Sequence, residues 1–237
     1  MLGLAWWHLL GHFGALASRR WAVRVYGLSQ ISKYVPGNIF HLAARQGRGM
    51  AAGLPGWAVA KSAAWELGLL AVGGALFGLL VLPLLVEAVP VFASALLFLA
   101  ALGSTAVLLW RLIGAGAARA FAWQVAFLAA SGLLFLGLLA LLGPSGAGEG
   151  SGGGGVAGGT WLIVLGAYIL AWLVGLVTPG SPAGLGVREL VLLLLLGGLV
   201  DEAGLVQAVV LARLVSALGD GAFFLGALAV GEGGTAS

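Results

Sequence analysis

The chain has 237 residues, 61% of them hydrophobic and 8% charged, with a mean hydropathy of +1.12. A soluble domain carries about 25% charged residues, so this chain cannot cover its surface with water-facing groups, and a soluble fold is excluded. With no cysteine in the sequence, a disulfide framework, a Cys-ligated metal and thiol chemistry are excluded too.

The net charge of +3 is small, but seven of the eleven basic residues fall within residues 1–61, where no acid occurs. Such a bias reads as positive-inside flanking of membrane segments rather than as nucleic-acid binding. Strand alternation with turn spacing is missing, which argues against a β-barrel. The expected fold is an all-α, polytopic integral membrane bundle. It forms a single domain, 1–237, with about six spanning helices, each needing roughly 20 apolar residues, and two broken or re-entrant segments.

The opening MLGLAWWHLLGHFGALAS has a signal-like Ala15-Leu16-Ala17. It lacks a basic leader, and His8 and His12 interrupt its apolar core. A retained first helix, Leu2 to Ala17, is expected, with Arg19, Arg20 and Arg24 placing its end in the cytoplasm. His8 and His12 share a helical face, but no nearby Cys, Asp or Glu supplies a further ligand, so no metal site is predicted.

The mixed stretch Val25 to Lys61 is broken by Pro36-Gly37 and Pro55-Gly56 and is basic at both flanks. That pattern fits a segment that dips into the membrane and returns. Four spans are predicted next, Trp65–Val86, Val91–Trp110, Ala120–Leu142 and Thr160–Thr178. The first would be about 33 Å long at 1.5 Å per residue. Small residues at four-residue spacing, Gly74/Gly78 and Ala167/Ala171/Gly175, are expected to serve close helix packing. Gly143 to Gly159 is a glycine-rich linker without a phosphate-loop motif, a seam between possible halves 1–142 and 160–237. Nine tryptophans, several near span ends, suit interfacial anchors.

In TPGSPAGLGVRELVLLLLLGGLVDE the apolar run Val187–Val200 is about 21 Å long, too short to span. A half-helix is predicted, with Asp201-Glu202 closing its far end. The final apolar segment, Gly204–Val230, carries Gln207, Arg213 and Asp220, and Gly219-Asp220-Gly221 could break it. Arg213, Ser216 and Asp220 lie on one helical face. Arg213 and Asp220 are about 10.5 Å apart along the axis, so each needs a partner from another helix. Glu66 and Glu189 are both candidates for Arg213.

The two interruptions resemble each other. Pro36-Gly37 precedes Arg45, and Pro179-Gly180 precedes Arg188, each arginine nine residues after its proline. In transporters, paired interrupted segments point to a binding site. Unwound backbone is tolerated at membrane depth where it lines a cavity. The half-helix that follows turns its N–H groups toward an anion, and an arginine adds a donor fork suited to phosphate. Glu66 lies just inside a span, Lys61 can snorkel, and His41 sits within the first broken segment. No nucleophile–base arrangement appears, so no catalytic residue, enzyme activity or cofactor is predicted.

The stretches SQISKYVPGNIFHLAARQGRG, AWELG, TPGSPAGLGVRELVLLLLL and ARLVSALGD resemble the lysylphosphatidylglycerol synthase transmembrane-region family of flippase-like membrane proteins. The resemblance implies a bacterial inner-membrane protein with re-entrant elements that handles lipids bearing anionic or glycan headgroups. It carries over Lys33, Pro36, Gly37, Asn38, Arg45, Glu66, Pro182, Gly184, Gly186, Arg188, Glu189 and Arg213. Relatives have fuller helices before the first block, so this N-terminus reads as short, and no aminoacyl-transfer domain is present.

The expected substrate-binding residues are therefore Lys33, Asn38, Arg45, Glu66, Arg188, Glu189 and Arg213. Structural breaks are expected at Pro36, Gly37, Pro179, Gly180, Pro182, Gly184 and Gly186. Membrane lipids are the expected partners, and nucleic acid is not. Two rival readings stay open at this point. One is a non-transporting subunit that scaffolds a glycosyltransferase or lipid-synthesis enzyme, and the other is a small-solute transporter.

Overall fold

The computed structural model describes residues 1–34, 40–142, 159–178 and 184–230. The described residues build an all-α membrane bundle. Its helices are α1 (Leu2–His12), α2 (Arg19–Gln30), α3 (Phe40–Ala51), α4 (Gly56–Phe77), α5 (Val91–Leu108), α6 (Ala115–Leu142), α7 (Thr160–Val177), α8 (Val187–Leu196) and α9 (Glu202–Ala229). Five segments among the described residues are long and apolar enough to cross a membrane: Gly56–Leu85, Val91–Ile113, Ala115–Leu142, Thr160–Val177 and Glu202–Ala229.

The expected sixth span is the first correction. α1 stops at His12 because Phe13 turns and Gly14 takes the left-handed φ of +76°. At 11 residues it is about 16 Å long. The chain then restarts as α2, whose Ser18 side chain accepts a hydrogen bond from the Trp21 N–H at 3.3 Å. α2 and α3, 12 residues each, are about 18 Å long, too short to cross a layer of about 30 Å.

The first long span starts nine residues earlier than expected, at Gly56 rather than Trp65, with Pro55 at its N-cap. It tightens into a 3-10 turn over Gly78–Val81 and ends in a short turn to Leu85. The reason is Pro83, which has no N–H to offer the carbonyl of Leu79. α6 likewise begins early, at Ala115, because Gly114 at φ +126° lets the chain reverse abruptly.

Two further corrections concern the last quarter. Asp201 does not close α8. It caps the start of α9, accepting from the Gly204 N–H at 2.7 Å. Gly219-Asp220-Gly221 does not break α9, which runs unbroken from Glu202 to Ala229. Each helical glycine costs about 1 kcal/mol relative to Ala, whereas each unsatisfied backbone group in lipid costs several. Helix therefore persists.

The main core joins α4, α6, α7, α8 and α9 through Phe77, Phe135, Tyr168, Leu192 and Leu205. The rings of Phe135 and Tyr168 stack at 4.5 Å. A second cluster holds α1, α2 and α4 around Trp6, Trp21, Tyr26 and Val59. α5 is peripheral. Phe98 packs on Phe77 at 4.8 Å, while Phe92, Leu96, Leu99 and Leu108 are exposed and suit lipid contact.

Small residues set the closest approaches. A Cβ on Gly166 of α7 would lie 2.7 Å from the Phe77 carbonyl oxygen and 2.8 Å from Leu80 Cβ. One on Gly103 of α5 would meet nothing within 4 Å. Overpacking costs about 1–3 kcal/mol. Gly166→Leu is therefore expected to lower the thermal midpoint in detergent by several degrees, with Gly103→Leu unchanged, as read by unfolding of the purified protein.

Candidate functional site

The start of α8 is built for close approach. Gly184 and Gly186 take left-handed φ values of +72° and +80°, a region open to glycine at little cost. The chain thereby turns sharply into the half-helix and delivers Arg188 and Glu189 on its first turn. α8 has 10 residues, about 15 Å, shorter than the predicted Val187–Val200.

Glu189 is gripped by Arg213 of α9. The guanidinium donates from Nε to Oε1 at 2.5 Å and from Nη2 to Oε2 at 3.0 Å. The same Nη2 donates to the Gly184 carbonyl at 3.0 Å. One arginine thus fixes both the half-helix and the turn before it. Of the two candidate partners for Arg213, Glu189 is the one in contact.

Arg188 is held differently. A Cβ on Gly175 of α7 would lie 2.8 Å from its Cγ and 2.9 Å from its Nε. One on Gly184 would lie 2.8 Å from the same Nε. The two glycines therefore form a slot for this side chain, and its guanidinium lies 5.6 Å from the Trp172 ring centroid. Gly175, expected to serve only helix packing, makes room for a charged group. Burial pushes the Arg188 guanidinium down to about 10, so it remains a cation at neutral pH. Its Nε is out of reach of solvent and has no hydrogen-bond partner among the described residues.

The first interrupted segment reaches the same place. After α2 the chain tightens into a 3-10 turn, Ile31–Tyr34. From it Lys33 pairs with Asp220 of α9 at 2.5 Å, and the Tyr34 hydroxyl donates to the same carboxylate at 2.6 Å. Tyr34 also feels the charges of Arg188 and Arg213. Burial and the Asp220 carboxylate hold its phenol above the usual range, which keeps it a donor.

Lys33, Gly184, Gly186, Arg188, Glu189 and Arg213 are thus assembled around α9, joined by Tyr34 and Asp220, which the expected site omitted. Ser216 takes no part, since its hydroxyl donates to the Ala212 carbonyl. Three cations, Lys33, Arg188 and Arg213, face two carboxylates, Glu189 and Asp220. Each carboxylate is paired, and of the three cations only Arg188 lacks a carboxylate partner among the described residues. The predicted site residue Asn38 and the breaks Pro36, Gly37, Pro179, Gly180 and Pro182 lie outside the described residues.

Arg45 and Glu66 form a separate, sealed cluster. Both residues are 2% exposed, and Arg45 Nη1 contacts Glu66 Oε2 at 2.5 Å. The Tyr26 hydroxyl donates to Glu66 Oε1 at 2.7 Å. The rings of Tyr26 and Trp6 lie 4.6 and 5.4 Å from the Arg45 guanidinium carbon. Trp6 is fixed in turn by donating to the Ser62 hydroxyl at 2.9 Å. His41 lies within the influence of both Arg45 and Lys33. Burial, then those two cations, depress its imidazole to about 4, leaving it neutral. Lys61 stands apart, over the Trp57 ring at 5.1 Å.

No protein-family model, curated protein or solved structure matches this chain.

Breaking one half of a buried ion pair costs about 3–5 kcal/mol, whereas replacing both halves by apolar groups is often neutral. Arg45→Met is accordingly expected to destabilise the protein strongly in thermal unfolding, and Arg45→Met/Glu66→Leu to recover most of the loss. Equal destabilisation by the single and double variants would contradict a structural role for the pair.

Proposed function

We propose that this chain is a flippase-like protein of the bacterial inner membrane that binds a lipid's anionic headgroup and helps it cross. Arg188 is the residue that receives the headgroup. One observation carries the reading: a slotted arginine left over when both neighbouring carboxylates are taken, in a site with one net positive charge. A phosphodiester, carrying one negative charge, matches that remainder, and the guanidinium fork suits its geometry. Lys33 and Arg213 hold the two carboxylates and the two interrupted segments in place. The resemblance to the lysylphosphatidylglycerol synthase transmembrane-region family points the same way.

In this reading Arg45 and Glu66 leave the headgroup site and become the pin that holds α3 on α4. Their burial supports the reassignment, because a lipid phosphate would have to displace a carboxylate already paired out of reach of solvent.

A hydrogen bond to a charged group contributes about 1.5–3 kcal/mol, or roughly a tenfold change or more. In proteoliposomes carrying fluorescent phosphatidylglycerol, Arg188→Ala is expected to slow lipid movement at least tenfold with an unchanged thermal midpoint. Arg188→Lys should retain part of the rate. Movement by Arg188→Ala at the wild-type rate would overturn the proposal.

A further inference from the structure

A groove of about 620 Å³ lies between the start of α2 and the end of α9, away from Arg188 and its neighbours. Arg19, Arg20 and Arg24 line one side, and Phe223, Gly226 and Val230 line the other. Its two walls are locked together. A Cβ on Gly27 of α2 would lie 2.8 Å from Ala227 Cβ, 3.2 Å from the Phe223 carbonyl oxygen and 3.3 Å from the Phe223 ring, so the bare glycine lets α2 press against α9. Arg24 Nε also donates to the Ala227 carbonyl at 3.1 Å, one of the terminal carbonyls that a helix leaves without an internal partner.

The chemistry of the groove is two-sided. None of the three arginines pairs with a carboxylate among the described residues, and no acid occurs in residues 1–61 of the sequence. The opposite wall, Phe223, Gly226, Ala227 and Val230, is apolar, and its Val230 is 51% exposed. Basic flanks mark the cytoplasmic side of a membrane protein, and basic pockets between helices on that side suit anionic headgroups. A ligand that satisfies both walls carries a phosphate for the arginines and a hydrocarbon chain for the Phe223 side.

We propose that this groove binds an anionic phospholipid of the cytoplasmic leaflet, its phosphate held by Arg19, Arg20 and Arg24 and an acyl chain lying along Phe223, Gly226 and Val230. The site is independent of Arg188 and its neighbours. A lipid here is a resident one that braces the α2–α9 junction, and so the 3-10 turn that carries Lys33 and Tyr34.

The test is native mass spectrometry of the full chain in detergent with added phosphatidylglycerol or phosphatidylcholine, performed in the Arg188→Ala background so that the other site does not contribute. Phosphatidylglycerol is expected to remain bound in that background and phosphatidylcholine to dissociate. Arg19→Gln/Arg20→Gln, which spares the Arg24 contact to Ala227, should weaken phosphatidylglycerol binding at least tenfold. Gly226→Leu should do the same without changing charge, since a Cβ there meets nothing within 4 Å and the side chain enters the groove. Arg111→Gln/Arg119→Gln, which removes two basic residues elsewhere, should leave binding within twofold.

Equal binding of the two lipids would remove the headgroup preference, and equal loss in both arginine pairs would reduce it to general basicity; either would overturn the site. Retention by Gly226→Leu would overturn the acyl-chain half. Failure of any of these leaves the Arg188 reading untouched, because that reading rests on lipid movement and this one on lipid retention.

Discussion

The grip of Arg213 on Glu189 organises the molecule's polar interior. A ten-residue helix cannot cross a bilayer and cannot hold its own position in one. Arg213 supplies that position by binding the Glu189 carboxylate with two donors and the Gly184 carbonyl with one of them. A second consequence follows from stoichiometry. Once Glu189 belongs to Arg213, and Asp220 to Lys33 and Tyr34, the remaining cation beside them, Arg188, has no carboxylate partner among the described residues.

Charges at membrane depth are costly and face bundle interiors or hydrated cavities. This chain handles its charges in two ways. Arg45 and Glu66 are sealed together under aromatic rings, each supplying the other's counter-charge. Arg188 is instead wedged between two glycines with no carboxylate partner among the described residues, while the Nε of both arginines is buried without an acceptor there. A buried cation without a counter-charge is expensive, and a bound anionic group would remove that cost. This difference in charge pairing assigns Arg45 to the fold and, in the proposed reading, Arg188 to binding, although both follow a Pro-Gly interruption by the same nine residues.

Much of the fold was legible because a bilayer imposes length and hydropathy, and those are local properties. The spans ending at Leu142 and Val177 were read to within a residue at their C-terminal ends. Element starts were harder. The mixed stretch was read as running to Lys61 and the span as opening at Trp65, yet Lys61 lies over Trp57 and Ser62 is buried on Trp6, within a helix that starts at Gly56. The break foreseen at Gly219-Asp220-Gly221 failed because backbone satisfaction outweighs glycine's preference inside lipid. Of the site, Lys33, Arg188, Glu189 and Arg213 were visible through the paired interruptions and the helical face of Arg213. Asp220 was visible as a charge needing a partner, but the partner was not, since Tyr34 lies 186 residues away. No periodicity reports such a distance. Gly175 was misread for the same reason, because the side chain it admits comes from another helix.

The central claim is that the two interrupted segments meet at α9 and leave Arg188 there as the uncommitted cation. The sequence contains no cysteine, so a single engineered pair reports proximity without background. The most direct measurement is thiol cross-linking of Tyr34→Cys/Asp220→Cys in native membranes with a short bifunctional reagent. Gly49→Cys/Val59→Cys, at a site where a Cβ would lie 2.9 Å from its neighbour, serves as the reacting reference. The account predicts that the Tyr34–Asp220 pair links as readily as the reference. A reference that links while the Tyr34–Asp220 pair stays free would contradict it.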